Sequence, residues 1–511
     1  MNDLLILHQQ FINNIIFNAS KRYQNKKMIR LQRFWAPAIV ILFIYLLSGS
    51  CRDTGFDTDP SIKLNFSQDT LLFDTVFTTV GSSTKSFKVY NNHHNRINIS
   101  RIWLEEGSNS FFRFNADGRP GSYVDNIEID QNDSIIVYVE ITVDPVNQNL
   151  PLIITDKINF EINGNQQSIS LAAWGQDAIF IKPNYTDPDS GISYYLMTDN
   201  QTWNNELPYV LYGFFVVDRD KILTINEGTR IHLHNNSSMI FLGGSSIKVN
   251  GTLDAPVTFQ GDRLEPFYRE LPGQWGRIWL TATSKDHEFN YAVIKNGTVG
   301  LHVDSIGSFS NPTLTIKNSI IKNMSSTGLL LQGSYVYAEN TIVANCGEHS
   351  AYINIGGKYE FNHCTFANYY SIGIRQTPMV YINNYYFDKN NNVQIRDLIK
   401  ADFGNSIIYG SLNDEILLDF FPGLGLANFK FDHCLLKTTM ETTASNYISV
   451  LKNQNPLFNN VQDNDYRLMS GSPAINKGNP NIAAQIPFDI LGNPRTPPGD
   501  LGAMQYHEIE D

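Results

Sequence analysis

The chain has 511 residues, of which 42% are hydrophobic, so it can bury a sizeable core and is long enough for two or more domains. Its formal net charge is −12, from 38 Lys and Arg against 50 Asp and Glu. Because nucleic-acid binding depends on cationic side chains that neutralise phosphates, so acidic a chain argues against nucleic acid as a partner and is compatible with neutral glycans, cations or plain solubility.

The N-terminal region carries the signals of export. Arg30 and Arg33 precede an apolar run over residues 34–47, and Ser48-Gly-Ser-Cys51 follows. This order is typical of a signal peptide, which we predict for residues 1–50, with Met28 as an alternative start. The competing interpretation is a transmembrane anchor, for which the run is short, since a spanning helix needs about 20 residues.

The small residues directly before Cys51 resemble the signals of bacterial lipoproteins, in which the cysteine is lipidated and becomes the first mature residue. This resemblance implies an outer-membrane lipoprotein of a Gram-negative bacterium, with the membrane as a partner through the lipid. Residues 51–61 form a polar, acidic tether, and acidic residues after such a cysteine resemble signals for export to the cell surface.

Residues 62–178 are predicted to form a separate β-sandwich. Ile135, Val137, Val139 and Ile141 alternate with more polar residues, which is the pattern of a half-buried strand. Comparable strands are predicted at residues 87–90, 97–104, 157–162 and 168–174, separated by turn clusters. Short strands at this spacing favour an immunoglobulin-like sandwich, and the segment resembles the Ig-like modules that precede β-helices in surface lipoproteins.

A repeated phrase dominates the next part of the chain, after a linker or cap at residues 179–209. The phrase places Asn318, Asn340, His363 and Asn384 at equivalent positions, separated by 22, 23 and 21 residues. A period of this size indicates a stacked repeat, and its β-branched and aromatic residues indicate strands. We therefore predict an all-β chain whose residues 210–440 form a right-handed parallel β-helix.

Asparagine columns are the second expectation from this repeat. Asn tolerates left-handed backbone angles, and its amide can bond the like residue of the next coil. The phrase ends in a second set of asparagines, Asn323, Asn345 and Asn368, which are also in register. The predicted structural ladder comprises Asn318, Asn323, Asn340, Asn345, His363, Asn368 and Asn384.

Segments at residues 221–231, 247–259 and 274–278 resemble the opening coils of pectate-lyase-like parallel β-helix proteins. This resemblance concerns architecture and says little about chemistry. Residues 390–428 interrupt the period, as either a groove-lining excursion or a helical cap. Residues 441–511, rich in Pro, Gly and Asn, resemble the terminal segments of secreted β-helix proteins and are predicted to cover the last coil.

The cysteines show no zinc-type spacing and no disulfide framework. Cys364 and Cys434 occupy the position that Ser319 and Thr341 fill in other copies of the phrase. We therefore expect Cys346, Cys364 and Cys434 to be unpaired.

Enzymes with this fold need charged residues that converge on one groove. A polysaccharide lyase on this fold needs a base and cations, often calcium, and a hydrolase needs carboxylates on neighbouring coils. Neither set is visible, and we expect no cofactor or metal, with calcium as the exception if the chain is a lyase. The weak catalytic candidates are Arg375, Lys389 and Arg396; other polar candidates are His349, His363, Asp388, Asp397 and His433.

Two classes of function remain open from the sequence. The first is a surface lipoprotein that binds carbohydrate or envelope proteins without strong catalysis. The second is a polysaccharide lyase or glycoside hydrolase that acts on uronate-containing polymers. Carboxylates and a Lys, Arg or His around one groove would favour the enzyme, and an aromatic, uncharged groove would favour binding.

Overall fold

The computed structural model describes residues 55–77, 84–142, 152–304 and 310–508. The chain is all-β: two five-stranded sheets are followed by three parallel sheets of 11, 10 and 10 strands. The predicted signal peptide and Cys51 lie outside the described residues. Within the described ranges, no helix has the length and apolar character needed to cross a membrane.

The two five-stranded sheets face each other across a shared core. In spatial order, the first comprises Asn65–Phe66, Lys85–Tyr90, Ser134–Ile141, Phe112–Ala116 and Arg119–Gly121, and the second Thr70–Phe77, Asn165–Gln176, Leu152–Ile162, Ile97–Leu104 and Tyr123–Ile129. A short 3-10 helix spans Gly107–Asn109. The predicted alternation is present, since Val137, Val139 and Ile141 are buried against Ile158 and Phe160 of the other sheet. The immunoglobulin-like identity of this sandwich stays a prediction.

Three long sheets, here called A, B and C, form a parallel β-helix, and each coil passes through sheets C, A and B in turn. All strand pairs in them are parallel except Tyr185–Thr186 with Ser193–Met197, which is antiparallel. Sheet A comprises Ile179–Ile181, Tyr209–Leu211, Arg230–Leu233, Val257–Gly261, Ala292–Lys295, Ile320–Lys322, Ile342–Ala344, Thr365–Asn368, Ile407–Gly410, Leu435–Leu436 and Leu451–Lys452. Sheet B comprises Tyr185–Thr186, Ser193–Met197, Phe214–Val217, Ser238–Phe241, Ile278–Leu280, Val299–Val303, Thr327–Gln332, Ala351–Asn354, Val380–Asn383 and Ile416–Asp419. Sheet C comprises Gln201–Trp203, Ile222–Asn226, Ser246–Asn250, His287–Asn290, Leu314–Lys317, Tyr335–Glu339, Gly357–Asn362, Leu398–Gly404, Ala427–Asp432 and Tyr447–Ile448.

The remaining elements lie outside these sheets. They are the hairpins Tyr385–Phe387 with Val393–Ile395 and Phe458–Asn460 with Asp465–Leu468, the 3-10 helix Pro266–Tyr268 and the α-helix Pro480–Gln485. The segment predicted as a linker or cap at 179–209 contributes strands to all three sheets, so the β-helix begins before residue 210.

In-register pairing stacks like side chains inside the β-helix. Phe361, Phe403, Phe431 and Tyr447 form one aromatic stack from sheet C, with ring centroids 4.9, 5.1 and 5.5 Å apart. These separations are close to the distance of about 4.8 Å between neighbouring strands, so each ring lies on the ring of the adjacent coil.

The predicted interruption at residues 390–428 is wrong in its main part. A complete further coil runs through Leu398–Gly404, Ile407–Gly410 and Ile416–Asp419. Only the short hairpin at residues 385–395 leaves the coil. The repeated phrase is present at Asn405 and Ser406, but glycine replaces the usual polar residue before it.

The C-terminal segment packs mainly along the side of the β-helix, whereas the sequence predicted that it would cover the last coil. Leu468, Ala474, Ile490, Leu501 and Ala503 are buried with outward-facing residues of sheet A. The physical reason is that these sheet A residues are apolar, namely Ile342, Ala344, Ala367, Ile407 and Leu435. An apolar outer face needs a cover, which the segment supplies.

Candidate functional site

The corner between sheets C and A contains the predicted ladder. Asn318, Asn340, His363, Asn405 and His433 all adopt left-handed backbone angles, with φ between 46° and 53°. Asn340 Nδ2 donates to Asn318 Oδ1 at 3.0 Å, and Asn405 Nδ2 lies 3.0 Å from His363 Nε2. Burial lowers the pKa of His363 well below its usual value, so this imidazole is neutral. These contacts make the column a turn ladder.

Asn384 does not belong to this column, and its predicted place is wrong. It follows Val380–Asn383, a strand of sheet B whose Tyr381 pairs with Tyr352 and Leu417. Asn384 Oδ1 instead accepts the backbone N–H of Phe421 at 2.9 Å. Asn405 occupies the position assigned to Asn384, because the intervening hairpin shifts the register of the phrase.

The second predicted set lies at the ends of sheet A strands and holds loops in place. Asn323 Nδ2 donates to Glu270 Oε2 at 2.5 Å, and Asn345 Nδ2 donates to Asn464 Oδ1 at 2.7 Å. Asn368 Nδ2 donates to the carbonyl oxygen of Cys346 at 2.9 Å. The side-chain amides of these three residues therefore donate hydrogen bonds to residues outside the set. The predicted ladder would instead have had them donate to one another.

We expect Asn340→Gly to destabilise the fold by about 1–3 kcal/mol, because it leaves buried partners unsatisfied. Asn340 Oδ1 accepts Arg495 Nη2 at 2.9 Å, and its Nδ2 donates to Phe488 O at 2.8 Å. Asn340→Ala should cost about 1–2 kcal/mol more, since alanine disfavours the left-handed angle. Urea denaturation measures both variants; Asn391→Gly, at an exposed left-handed turn, is the control and should leave the midpoint unchanged.

The three cysteines within the described residues, Cys346, Cys364 and Cys434, are buried and free. Burial raises the pKa of each thiol to about 12. A thiol with so high a pKa is a poor nucleophile, so these cysteines serve packing.

Arg375 does not serve as a groove residue, because its guanidinium is buried. It forms a two-pronged ion pair with Glu415, with Nη2–Oε1 and Nη1–Oε2 distances of 2.5 and 2.7 Å. The side chains are 1% and 0% exposed. Glu415 also accepts the backbone N–H of Leu412 at 2.8 Å. The pair ties a long turn to the corner between sheets A and B, where no substrate can reach it.

The other catalytic candidates do not converge on one centre. Lys389 is exposed in the hairpin turn, where the Asp388 carboxylate accepts the backbone N–H groups of Asn390 and Asn392. Arg396 and Asp397 are exposed beyond the hairpin. His433 Nδ1 lies 2.6 Å from Asp432 Oδ1, at the sheet C–A corner. In the described part of the chain, no group of three or more His, Cys, Asp and Glu could hold a metal ion.

The outer face of sheet B presents a column that the sequence did not reveal. One outward-facing residue from each successive strand contributes to it, and we call this set the aromatic column. Its members are Leu196, Val216, Ile240, Trp279, His302, Leu330, Tyr352, Tyr381 and Leu417.

Two ring pairs give the aromatic column its shape. Trp279 and His302 stack with centroids 5.2 Å apart and planes within 2°, and Tyr352 and Tyr381 stack at 4.9 Å within 8°. His349 lies beside the second pair, 5.1 Å from Tyr352. Because the rings stack along the column, each covers part of its neighbour's face and presents an edge at the outer surface of sheet B.

A second set of residues lies beside the aromatic column on the same face of sheet B, two residues further along the chain, at or just past the end of each strand. We call it the polar column. It comprises Asp218, Thr281, Asp304, Gln332, Asn354, Asn383 and Asp419, with Leu242 as one apolar member.

Hydrogen bonds connect the two columns. Trp279 Nε1 donates to Asp304 Oδ2 at 2.8 Å, and the Tyr381 hydroxyl donates to Asp419 Oδ2 at 2.7 Å. His302 Nε2 lies 3.0 Å from Gln332 Oε1 and 3.1 Å from Asp304 Oδ1. The aromatic side chains are therefore held in fixed orientations by the polar ones.

Protonation states follow from the same contacts. Burial alone would raise the pKa of the Asp304 carboxyl, but hydrogen bonds from His302 and Trp279 outweigh it and lower that pKa. Burial raises the pKa of Tyr352, and burial together with the hydrogen bond to Asp419 raises the pKa of Tyr381. At neutral pH the face therefore offers a charged carboxylate acceptor beside protonated phenol groups.

The opposite flank of the aromatic column is also polar. Ser326 Oγ donates to Glu348 Oε2 at 2.5 Å, and Thr377 Oγ1 donates to the carbonyl oxygen of Glu348 at 3.0 Å. In the three coils that carry Leu330, Tyr352 and Tyr381, the aromatic column thus lies between two hydrogen-bonding borders.

No protein-family model and no curated protein matches this chain. Among solved structures, the PapD-like domain 7 (an ASH / PapD-like domain) of human CEP192 is 10% identical and covers 25% of this chain and 96% of that chain, with a TM-score of 0.17. A family 123 glycoside hydrolase from Clostridium perfringens is 11% identical and covers 27% of this chain and 26% of that chain, with a TM-score of 0.18. At these scores neither similarity supports an argument about this chain.

Proposed function

We propose that this chain is a cell-surface lipoprotein whose β-helix binds an extended polysaccharide along the outer face of sheet B, without strong turnover. The observation that supports the proposal is the aromatic column between Trp279 and Tyr381, bordered by the polar column. Sugars present apolar C–H surfaces and many hydroxyl groups, so an apolar stripe beside fixed carboxylates and amides suits them.

The length of the face favours a polymer. From Trp279 to Leu417 the aromatic column crosses five strand-to-strand steps of sheet B, which corresponds to about 24 Å at about 4.8 Å per step. A single sugar would occupy only a small part of this length. Several consecutive sugar units could contact the column together, and weak contacts at each unit would add up along the chain.

The alternative function, a polysaccharide lyase or glycoside hydrolase acting on uronate-containing polymers, has less support. Asp304 and Asp419 are four strands apart, about 19 Å at about 4.8 Å per step. Paired carboxylates of glycosidases lie about 5–9.5 Å apart, so these two cannot act on one bond. Amide side chains of Gln332, Asn354 and Asn383 fill the polar column between them.

A polysaccharide panel tests the proposal. Retention in affinity electrophoresis measures binding, and the same mixtures are scored for new reducing ends and for unsaturated products. We expect retention by at least one polymer and no product formation. Product formation from a uronate polymer, or no retention by any polymer, would contradict the proposed function.

The placement at the outer membrane is part of the proposal and is supported by the Arg30 to Cys51 pattern. We expect metabolic labelling with a fatty acid to mark the wild-type chain and to be lost in Cys51→Ser. A Cys346→Ser variant, which changes a buried cysteine, is the control and should label normally. Equal labelling of wild type and Cys51→Ser would rule out lipidation at this cysteine.

A further inference from the structure

We infer that the outer face of sheet B selects neutral polysaccharides and rejects polymers that carry uronate or sulfate groups. This inference rests on the proposed function, because it names the class of polymer that the same face would take. It begins from the charges at the two columns. Asp218, Asp304 and Asp419 contribute carboxylates, and none of the column positions is Lys or Arg.

The flank on the opposite side of the aromatic column from the polar column is also negatively charged. Glu348 lies there with Ser326 and Thr377. Arg277 is a cation close to the column, and its Nη1 lies 3.3 Å from His302 Nδ1. Its guanidinium is directed at the imidazole; three aspartates lie on one side of the aromatic column and Glu348 lies on the other.

The carboxylates of the polar column are held in place. The Asp304 carboxylate accepts hydrogen bonds from Trp279 Nε1 and His302 Nε2. The Asp419 carboxylate accepts hydrogen bonds from the hydroxyl groups of Tyr381 and Tyr385. Because ring donors fix them, these groups cannot swing away from an approaching anion. A carboxylate can accept about four hydrogen bonds, so each retains free capacity for sugar hydroxyl groups.

A neutral polymer and a polyanion would therefore meet this face differently. Hydroxyl groups of a neutral sugar can donate to Asp304, Asp419 and the amide oxygens between them. A uronate or sulfate in the same position would place like charges within a few ångströms of each other. At low salt and at the effective dielectric constant of a protein surface, one such contact weakens binding about tenfold or more.

Matched polymer pairs test the inference. The pairs are hydroxyethyl cellulose with carboxymethyl cellulose, methyl-esterified pectin with polygalacturonate, and the propylene glycol ester of alginate with alginate. Dissociation constants are measured with EDTA at low salt. We expect the neutral member of a pair to bind at least about tenfold more tightly, with the difference shrinking as salt is added.

Charge removal provides the second arm. In Asp304→Asn with Asp419→Asn, the ratio of the two dissociation constants should fall at least about tenfold, because both like-charge contacts are lost. The control, Glu227→Gln with Asp254→Asn, removes the same charge from exposed residues near the corner between sheets C and A. The control should leave the ratio unchanged.

The outcomes separate the inference from the proposed function. Equal binding of both members, preference for the acidic member, or acidic binding that appears only with added calcium would overturn the inference while leaving carbohydrate binding intact. An equal change of the ratio in the control pair would also overturn it, since net charge alone would then explain the selectivity. Absence of binding to every polymer would refute the proposed function itself.

Discussion

Replacing Arg375 by methionine is expected to destabilise the β-helix by about 3–5 kcal/mol, because it leaves the Glu415 carboxylate buried without its cationic partner. Glu415 is fully buried, and its remaining hydrogen bonds come from neutral backbone N–H groups. Removing one member of a buried ion pair costs more than the pair contributes, because the surviving charge has lost its contact with water.

Paired substitutions separate this electrostatic effect from loss of packing. In Arg375→Met with Glu415→Leu, both charges are gone, and most of the lost stability should return. Arg467→Met is the control, because Arg467 pairs with Asp465 in an exposed position. This substitution should change the free energy of unfolding by less than about 1 kcal/mol. Urea denaturation, monitored by circular dichroism, measures the free energy of unfolding of all three variants. An Arg375→Met variant as stable as wild type would show that the pair is not buried as described.

The second large effect concerns binding. Substituting alanine for Trp279, Tyr352 and Tyr381 together is expected to weaken polysaccharide binding about 100-fold or more. Buried aromatic contacts at interfaces each contribute on the order of 1–2 kcal/mol, and a loss of 2.7 kcal/mol corresponds to about 100-fold. Affinity electrophoresis with the polymer retained by the wild type measures the loss.

Two control variants make this result specific. Tyr337→Ala removes a half-buried tyrosine from the outer face of sheet C, where the hydroxyl donates to Glu339. It should bind like the wild type. Tyr381→Phe keeps the stacked ring and removes only its hydrogen bond to Asp419, so it should lose much less affinity for the polysaccharide than Tyr381→Ala. If Tyr337→Ala weakens binding as much as the triple variant, the ligand does not lie on sheet B.

The fold was predictable where local chemistry and period agree. Asn318, Asn340 and His363 mark left-handed corners, and the residues between them are strand formers, so the coil could be recognised from a short phrase. The phrase also predicted that Cys364 and Cys434 occupy the position equivalent to Ser319 in their own coils. In the structure Ser319 Oγ and Cys364 Sγ each donate to a carbonyl oxygen two residues earlier.

The prediction failed where the phrase could not show which sheet a strand joins. Residues near Asn384 match the phrase, yet they belong to sheet B, and the true copy at Asn405 carries an atypical Gly404. Strand pairing between coils decides such cases, and the variable hairpin after Asn384 conceals it in the sequence.

The candidate site was largely hidden for a related reason. Nothing in the sequence indicates that Trp279, His302, Tyr352 and Tyr381 lie on one face. Loops of different length precede each sheet B strand, so these residues lack the fixed spacing that reveals the sheet C–A corner. The buried state of Arg375 was equally invisible, because its partner Glu415 lies 40 residues further along the chain.

Oxidative footprinting tests the location of the ligand most directly. Hydroxyl radicals label exposed side chains of the wild-type protein with and without a saturating amount of the retained polysaccharide, and mass spectrometry measures the labelling of each residue. We predict protection of Trp279, Tyr352 and Tyr381, and unchanged labelling of Tyr337 on sheet C and Tyr138 on the sandwich. Protection of Tyr138 or Tyr337, with the sheet B residues labelled as before, would contradict the assignment of this face as the polysaccharide site.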